Sequence, residues 1–562
     1  MHKYFSILTC LLFLFACLPE TSEKSVQKPL NIILITAEDL SPRIGAYGDE
    51  VAHTPNIDAL AKESVLFTNA FTTAGVCAPS RSSLITGVHQ QTLGTMHMRT
   101  SSFGVNMEEG QPYEAIPPAY VKAFPELLRR AGYYTLNRSK TDYQFGNPFT
   151  VWDKNSGKAN IGNVPSGKPF FAMINYNITH ESYTWPPNGS KAHPAAKKVL
   201  PRNQKADAKK TYFTDPASVK VPAYYPDSPA IRKNLARHYD NIALLDKQVG
   251  ALLQDLRKKG YFENSIIIFT TDHGDGLPRA KRTLYDSGLH VPLLIRFPDG
   301  RGGGTKDKNL VSFVDLAPTI LSLAGIDVPK WMQGRIIIGD KKDPPRKYIY
   351  AAADRLDEQV GRIKAVYDGR FNYIRNYMPA QPRIASIGYQ DMNPIMAELN
   401  RKFQQGSLSE RQRQFLATPS PEEELYDRKN DPDEVYNLAN NPKFAPQMKR
   451  LRMALADWIM RIGDLSALPE KDFLATIWPD NVQPHTAKPI ACLTKGGKIM
   501  LKSKTKGASI GYHFLDEEGK KQWQLYKEPI IMEEAIKAKA IRYGYRQSDV
   551  VTIATNKLSS CV

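Results

Sequence analysis

The chain has 562 residues, 42% of them hydrophobic, which excludes an intrinsically disordered protein and exceeds what one ordinary core holds, so roughly three domains of about 150 residues are expected. Its 75 Lys and Arg against 57 Asp and Glu give a formal net charge of +18, which favours anionic partners. No nucleic-acid motif is present, so nucleic acid is not expected; a sulfated or phosphorylated substrate, or a polyanionic matrix, fits the charge.

Residues 1–17, MHKYFSILTCLLFLFAC, start basic and continue as an apolar run too short to span a bilayer comfortably. Leu14-Phe15-Ala16-Cys17 resembles the lipobox of bacterial lipoproteins, which implies a signal peptide, a lipid anchor on Cys17 and export to the periplasm or outer membrane. Residues 18–29 are polar and read as a tether. Beyond the leader stand Cys77, Cys492 and Cys561. An oxidising compartment would let the last two pair, leaving Cys77 without a partner.

Residues 31–36, NIILIT, are a continuous apolar run, as expected of a buried parallel strand, and it stops at Glu38-Asp39. A helix is expected over 56–64 behind Pro55, a strand at 65–67, and an amphipathic helix over 124–132 leading into YYTLN. Residues 169–176, PFFAMINY, form the next buried strand and run into Thr179-His180-Glu181. One long helix covers 231–259, then a strand at 265–270 meets Asp272-His273 and another follows at 291–297. This alternation predicts an α/β domain over 30–340 with a largely parallel sheet covered on both faces. A smaller α+β subdomain over 341–470 is expected to hold antiparallel strands at 347–353 and 371–376, a polar helical stretch at 398–416 and a helix at 448–462. Short alternating strands over 484–562 predict an all-β accessory module. Ligands bind at the C-terminal edge of such sheets, so Glu38, Asp39, His180, Asp272 and His273 are placed to converge there.

Cys77-Ala78-Pro79-Ser80-Arg81 matches the C-x-P-S-R signature of the sulfatase family, and Leu84-Ile85-Thr86-Gly87 continues it. Residues 54–71, TPNIDALAKESVLFTNAF, are similar to the family's segment leading into the signature, and Leu425-Tyr426-Asp427, Asp431-Pro432 and Asn437-Leu438-Ala439 look like its C-terminal hallmark. The resemblance covers about residues 30 to 465. It implies an alkaline-phosphatase-like sandwich and sulfate ester hydrolysis. It also implies that a formylglycine-generating enzyme oxidises Cys77 to 3-oxoalanine, whose hydrate is the nucleophile. The chemistry suits such a group: a serine alkoxide could also attack sulfur, but a hydrate has a second hydroxyl to expel sulfate afterwards.

Oxygen-rich acids suit a hard cation, and the resemblance implies Ca2+ held by Glu38, Asp39, Cys77, Asp272 and His273. Glu38 stands where Asp is more usual. Arg81 resembles the residue that holds the hydrate; Lys140 and Lys281 resemble the two sulfate-contacting lysines, with Asp142 replacing a histidine of the family pattern. His180 is the expected proton donor to the leaving group. His97, Arg99 and His290 are candidate sugar contacts. The nearest branch in pattern contains heparan N-sulfatase-like and marine polysaccharide sulfatases, which points to a sulfated polysaccharide or its oligosaccharides, ulvan first and heparin-like glycans second. The terminal module resembles the small β-sandwich appended to some chitobiases. Two alternatives remain open at this stage: a phosphodiesterase or phosphonate monoester hydrolase of the same superfamily, and a non-catalytic lipoprotein that binds sulfated glycan.

Overall fold

The computed structural model describes residues 29–98, 112–515, 522–531, 535–554 and 558–561. The leader with Cys17, nearly all of the tether, and Arg99 lie outside the described residues. In chain order the first strands are β1 (Asn31–Ala37), β2 (Val65–Phe71), β3 (His97–Met98), β4 (Tyr134–Arg138), β5 (Lys154–Asn155), β6 (Phe170–Tyr176), β7 (Ser265–Thr271), β8 (His290–Arg296), β9 (Lys306–Asp307) and β10 (Val311–Ser312). All but β3 join one nine-stranded sheet in the order β10-β2-β8-β7-β1-β6-β4-β5, with β9 on β2.

Alternation along β1 shows how this sheet is sealed. Its seven residues are all buried: Ile33, Ile35 and Ala37 feed a core with Leu235, Ile242, Leu245 and Val249 of the long helix Pro229–Lys258. Ile32 and Leu34 point the other way, into a core with Leu84, Ile85, Phe124, Leu128 and Ile320. Each buried Ile or Leu is worth about 1.5–3 kcal/mol over exposure, so a strand apolar on both faces has no stable alternative to being sandwiched. The strands β7, β1, β6, β4 and β5 run parallel, but β8 is antiparallel to both β7 and β2. The sheet is therefore mixed at that side, because the chain passes from β7 to β8 through residues 272–289 without a long crossover helix.

A second sheet holds β11 (Ile349–Leu356), β12 (Gln359–Tyr367), β13 (Phe371–Asn376) and β14 (Glu423–Asp427) in the order β14-β13-β12-β11-β3. The strands expected at 347–353 and 371–376 are present but do not pair with each other, since β12 lies between them. The half-exposed first part of β12 hides it in the sequence. The helix Ala445–Ile462 covers this sheet with Leu451, Leu455 and Trp458. The expected helix at 398–416 is two shorter ones, Pro394–Gln404 and Glu410–Arg413.

The terminal module comprises a two-stranded sheet, β15 (Ile490–Leu493) and β16 (Ile499–Lys502), and a four-stranded one. The latter has β17 (Ser509–Phe514), β18 (Gln524–Leu525), β19 (Ile536–Ile541) and β20 (Val551–Ile553) in the order β18-β17-β19-β20. Its own core gathers Ile499, Leu501, Ile510, Ile536 and Ala538, and Cys492 is disulfide-bonded to Cys561. The module is fastened to the helix Phe124–Arg130: the buried Glu126 accepts hydrogen bonds from Ser509 Oγ (2.6 Å) and Tyr543 OH (2.8 Å).

Candidate active site

Register brings the candidate residues to one edge. Ala37, the last residue of β1, pairs with Thr271 of β7 on one side and Tyr176 of β6 on the other. Glu38-Asp39, Asp272-His273 and the turn carrying His180 and Glu181 therefore leave the sheet at the same height. On the next strand, β4 ends at Arg138, two residues before Lys140. Four adjacent parallel strands thus deliver the acids, the histidines and a lysine to the C-terminal edge, where α/β sheets bind ligands.

Cys77 is the first residue of the buried helix Cys77–Thr86, so its side chain sits at the positive end of the helix dipole. Pro79 is tolerated because it falls in the first turn, where backbone N–H groups lack helical partners. Thr72 Oγ1 donates to Ser80 Oγ (2.6 Å), and Ser80 Oγ donates to the Asp272 carbonyl, which ties the helix to the loop after β7. Arg81 spreads its fork over three acceptors: Asp272 Oδ2 (2.9 Å), Asn175 Oδ1 (2.8 Å) and Glu38 Oε1 (3.4 Å). Leu84 and Ile85 anchor the helix in the core below, and Gly87 ends it with a left-handed φ of 71°.

Around Cys77 the charges are sorted. His273 Nε2 lies 3.4 Å from Cys77 Sγ and 3.0 Å from Asp39 Oδ1, while its Nδ1 lies 3.0 Å from the Gly274 carbonyl and donates to it. Lys281 Nζ reaches Asp39 Oδ2 (2.8 Å), Glu181 Oε1 (3.0 Å) and Cys77 Sγ (3.6 Å). Asp39 adopts a left-handed φ of 49° and accepts from the Glu181 N–H at 2.7 Å. The close packing here requires Gly276, where a Cβ would stand 2.5 Å from Asp39 Oδ2. Lys140 Nζ lies 3.2 Å from Glu38 Oε1 and 3.4 Å from Asp142 Oδ2.

Ligand atoms of Asp39, Cys77, Asp272 and His273 all lie within 4.8 Å of one another, an arrangement fit for one cation. Against the pull of burial, Asp272 and Asp39 raise the His273 ring to about 10. The acids around Nε2 thus favour positive charge there. Glu38 falls outside this group of four and belongs with Asp39 and His180; its longer arm turns toward Lys140 and Arg81. Burial, with Asp272 close by, lifts its carboxyl above the ordinary range despite Lys140.

His180, the expected proton donor, is uncharged here. Burial, reinforced by Lys281, holds its ring down to about 3, so it is neutral at working pH. The Ser182 N–H donates to Nδ1 (3.3 Å), which leaves the ring proton on Nε2. A neutral ring offers a hydrogen bond from Nε2–H rather than the loosely held proton of an imidazolium.

The two other histidines are brought elsewhere. His97 is fully buried among Tyr113 and Phe473, under the helix Glu470–Ile477, and this burial removes it from any sugar contact. His290 stacks on Phe71, with Nε2 bonded to the Thr68 carbonyl (2.9 Å) and Nδ1 3.5 Å from Asp286, so both nitrogens are committed to the scaffold. Conversely, Glu181 and Arg282 belong to the site without having been singled out. Glu181 receives two bonds from Arg282 (2.9 and 3.0 Å), and with Lys281 these hold its carboxyl down to about 2 against burial. Asn175, at the end of an otherwise apolar run, had a visible signal: a lone polar side chain in a buried strand.

Carboxylates able to hold a cation beside a nucleophile, with lysines close to it, suit attack on an anionic ester, which places the chain among hydrolases of that class. It belongs to the sulfatase family and is a sulfuric ester hydrolase: the family described as Sulfatase matches residues 30–166 and 155–326, and the N-sulphoglucosamine sulphohydrolase C-terminal region matches 279–385. Over 560 residues the chain is 40% identical to an ulvan-active sulfatase of Formosa agariphila, covering 96% of this chain and 93% of that protein. It is 28% identical to human N-sulphoglucosamine sulphohydrolase over 469 residues, 77% of this chain and 90% of that one. A solved structure described as a 2-O GAG sulfatase shares the alkaline-phosphatase-like fold, with a TM-score of 0.56 at 20% identity over 78% of this chain and 94% of that chain.

Proposed function

We propose that the chain is an exported lipoprotein that removes sulfate from an ulvan-type polysaccharide or its oligosaccharides, using an oxygen nucleophile made from Cys77. The observation that carries the reading is Cys77 itself, buried at a helix N-terminus between Lys281 Nζ at 3.6 Å and His273 Nε2 at 3.4 Å. The 40% identity to an ulvan-active sulfatase supports the substrate. The lipobox-like run ending in Cys17 supports export and anchoring.

Position 77 suits 3-oxoalanine, since the positive helix end and Lys281 favour oxygen atoms with partial negative charge. That group, installed by a formylglycine-generating enzyme, supplies the attacking hydroxyl. Asp39, Asp272 and His273 would hold Ca2+, with Glu38 beside them, and the ion would polarise a sulfuryl oxygen.

The remaining work falls to the chain's own side chains. Lys281 and Lys140 present ammonium groups to a sulfate lying over Cys77. Asp39 and Glu181 keep Lys281 charged, and both lysines are held above their ordinary range despite burial, by Asp39 and Cys77 in one case and by Cys77 and Glu38 in the other. Arg81 fixes the Asp272 carboxylate and the helix turn behind Cys77. His180 points Nε2–H toward the leaving oxygen. The test has two parts, on protein co-expressed with a formylglycine-generating enzyme: the mass of the peptide containing residue 77, and hydrolysis of an aryl sulfate against the matching aryl phosphate and phosphonate. An aldehyde mass with faster phosphonate turnover would overturn the sulfate reading.

A further inference from the structure

Far from this site, at the opposite end of β4, a cleft of about 720 Å3 opens between the catalytic body and the terminal module. Tyr134 at the start of β4 lines it, and at roughly 3.3 Å per residue the strand runs about 13 Å from there to Arg138, with Lys140 beyond that end. Its walls carry Lys154 and Lys168 from the catalytic body and Trp523 and Lys527 from the module.

Among the described residues that line it, positive charge outnumbers negative. Asp153 is the one acid in the lining, and it is already bonded by Arg129 Nε (2.7 Å) and by the Thr135 N–H (2.9 Å). Arg129 is likewise spent on the Thr150 carbonyl (3.1 Å) and the Trp523 carbonyl, where it joins module to body. Lys154, Lys168 and Lys527 have no ion-pair partner among the described residues. Lys527 is held below its ordinary value by partial burial and by the neighbouring Lys168. Trp523 is braced: His513 meets it edge-on at 4.7 Å and Lys539 sits 4.5 Å over its ring. The indole, beside three lysines without an ion-pair partner among the described residues, offers an apolar face for a sugar ring and cations for its charges.

We propose that this cleft is a second binding site, non-catalytic, for a sulfated polysaccharide chain, which tethers the enzyme to polymer while the sheet's far edge acts on chain ends or fragments. It rests on the reading of the substrate as a sulfated glycan. Bare charge would attract any polyanion, but an indole lining the same cleft as the lysines suits a sugar ring bearing anions, and the cleft is wide enough for saccharide units, within the roughly 300–1,000 Å3 of ordinary ligand sites.

The test uses the full-length Cys77→Ala protein, which binds without turnover, and follows its retention in gels containing ulvan, neutral dextran or single-stranded DNA. Retention by ulvan and not by dextran is expected, weakening as salt is raised. The double variant Lys168→Glu/Lys527→Glu should bind ulvan about tenfold more weakly, by the loss and reversal of two exposed charge contacts. Trp523→Ala should weaken it too, with the charge unchanged. In the active background both variants should hydrolyse a small aryl sulfate as the parent does, which also shows that they are folded. Unchanged ulvan retention in both variants, or DNA bound as tightly as ulvan at the same salt, would overturn the proposal. Retention that behaves as expected alongside no sulfate release from any ester would instead remove the catalytic reading and leave the cleft standing.

Discussion

Glu126 joins the terminal module to the catalytic body, and Glu126→Gln should loosen that joint while sparing the chemistry. Three hydroxyls point hydrogens at its carboxylate: Ser509 (2.6 Å), Thr150 (2.7 Å) and Tyr543 (2.8 Å). Two of them have no freedom to turn. Ser509 Oγ already accepts from Lys122 Nζ (2.8 Å) and Tyr543 OH from the Ala123 N–H (3.2 Å), so an amide NH2 would face donors. Burial opposes the charge, but Lys122, Arg130 and these hydroxyls prevail and lower the carboxyl from 4.5 to about 2. At about 1.4 kcal/mol per unit, that depression contributes roughly 3 kcal/mol at neutral pH. The sign follows from the direction: the contribution is complete above pH 4.5 and is lost as pH falls toward 2. Paired urea unfolding of parent and variant should therefore differ by about 3 kcal/mol at pH 7 and by less than half of that at pH 3. A gap that is the same at both pH values, or below about 1 kcal/mol at pH 7, would refute the reasoning.

Other expectations concern the site. Arg81→Lys replaces a fork that meets Asp272, Asn175 and Glu38 by a single head, and kcat/KM for an aryl sulfate should fall about 100-fold or more with the fold intact by circular dichroism. Lys281→Met keeps the bulk but leaves Asp39 and Glu181 short of a cation; kcat should drop about 100- to 1,000-fold, and stability by about 3 kcal/mol in urea. Chelation should abolish activity, and adding back calcium at a hundredfold excess over its Kd should both restore it and stabilise the protein by about 2.7 kcal/mol. Full activity after exhaustive chelation would remove the cation from the account.

Much of this site was legible because strands buried on both faces announce themselves. NIILIT, PFFAMINY and SIIIFT each end abruptly in polar residues, and parallel register then forces those ends together. What a strand's composition does not carry is its direction or its neighbours, hence β8 running antiparallel and the half-exposed β12 lying between β11 and β13. His97 shows the same limit for side chains. In GTMHMRT it is a candidate sugar contact, yet the helix Glu470–Ile477, unassigned from sequence, covers it with Phe473. Glu126 is the converse, an acid in a stretch legible only as an amphipathic helix, and it is fully buried where the module meets it. His180 was placed correctly beyond a strand end, but its neutral state depends on burial and Lys281, and its tautomer on Ser182, which spacing alone does not report.

The most direct test of the central claim is sulfate release from ulvan, carrageenan, fucoidan and heparin fragments by protein matured with a formylglycine-generating enzyme, with Cys77→Ala beside it. The account predicts release from ulvan fragments that disappears in the variant. Release that survives Cys77→Ala, or none from any glycan when residue 77 is shown by mass to be the aldehyde, would contradict it.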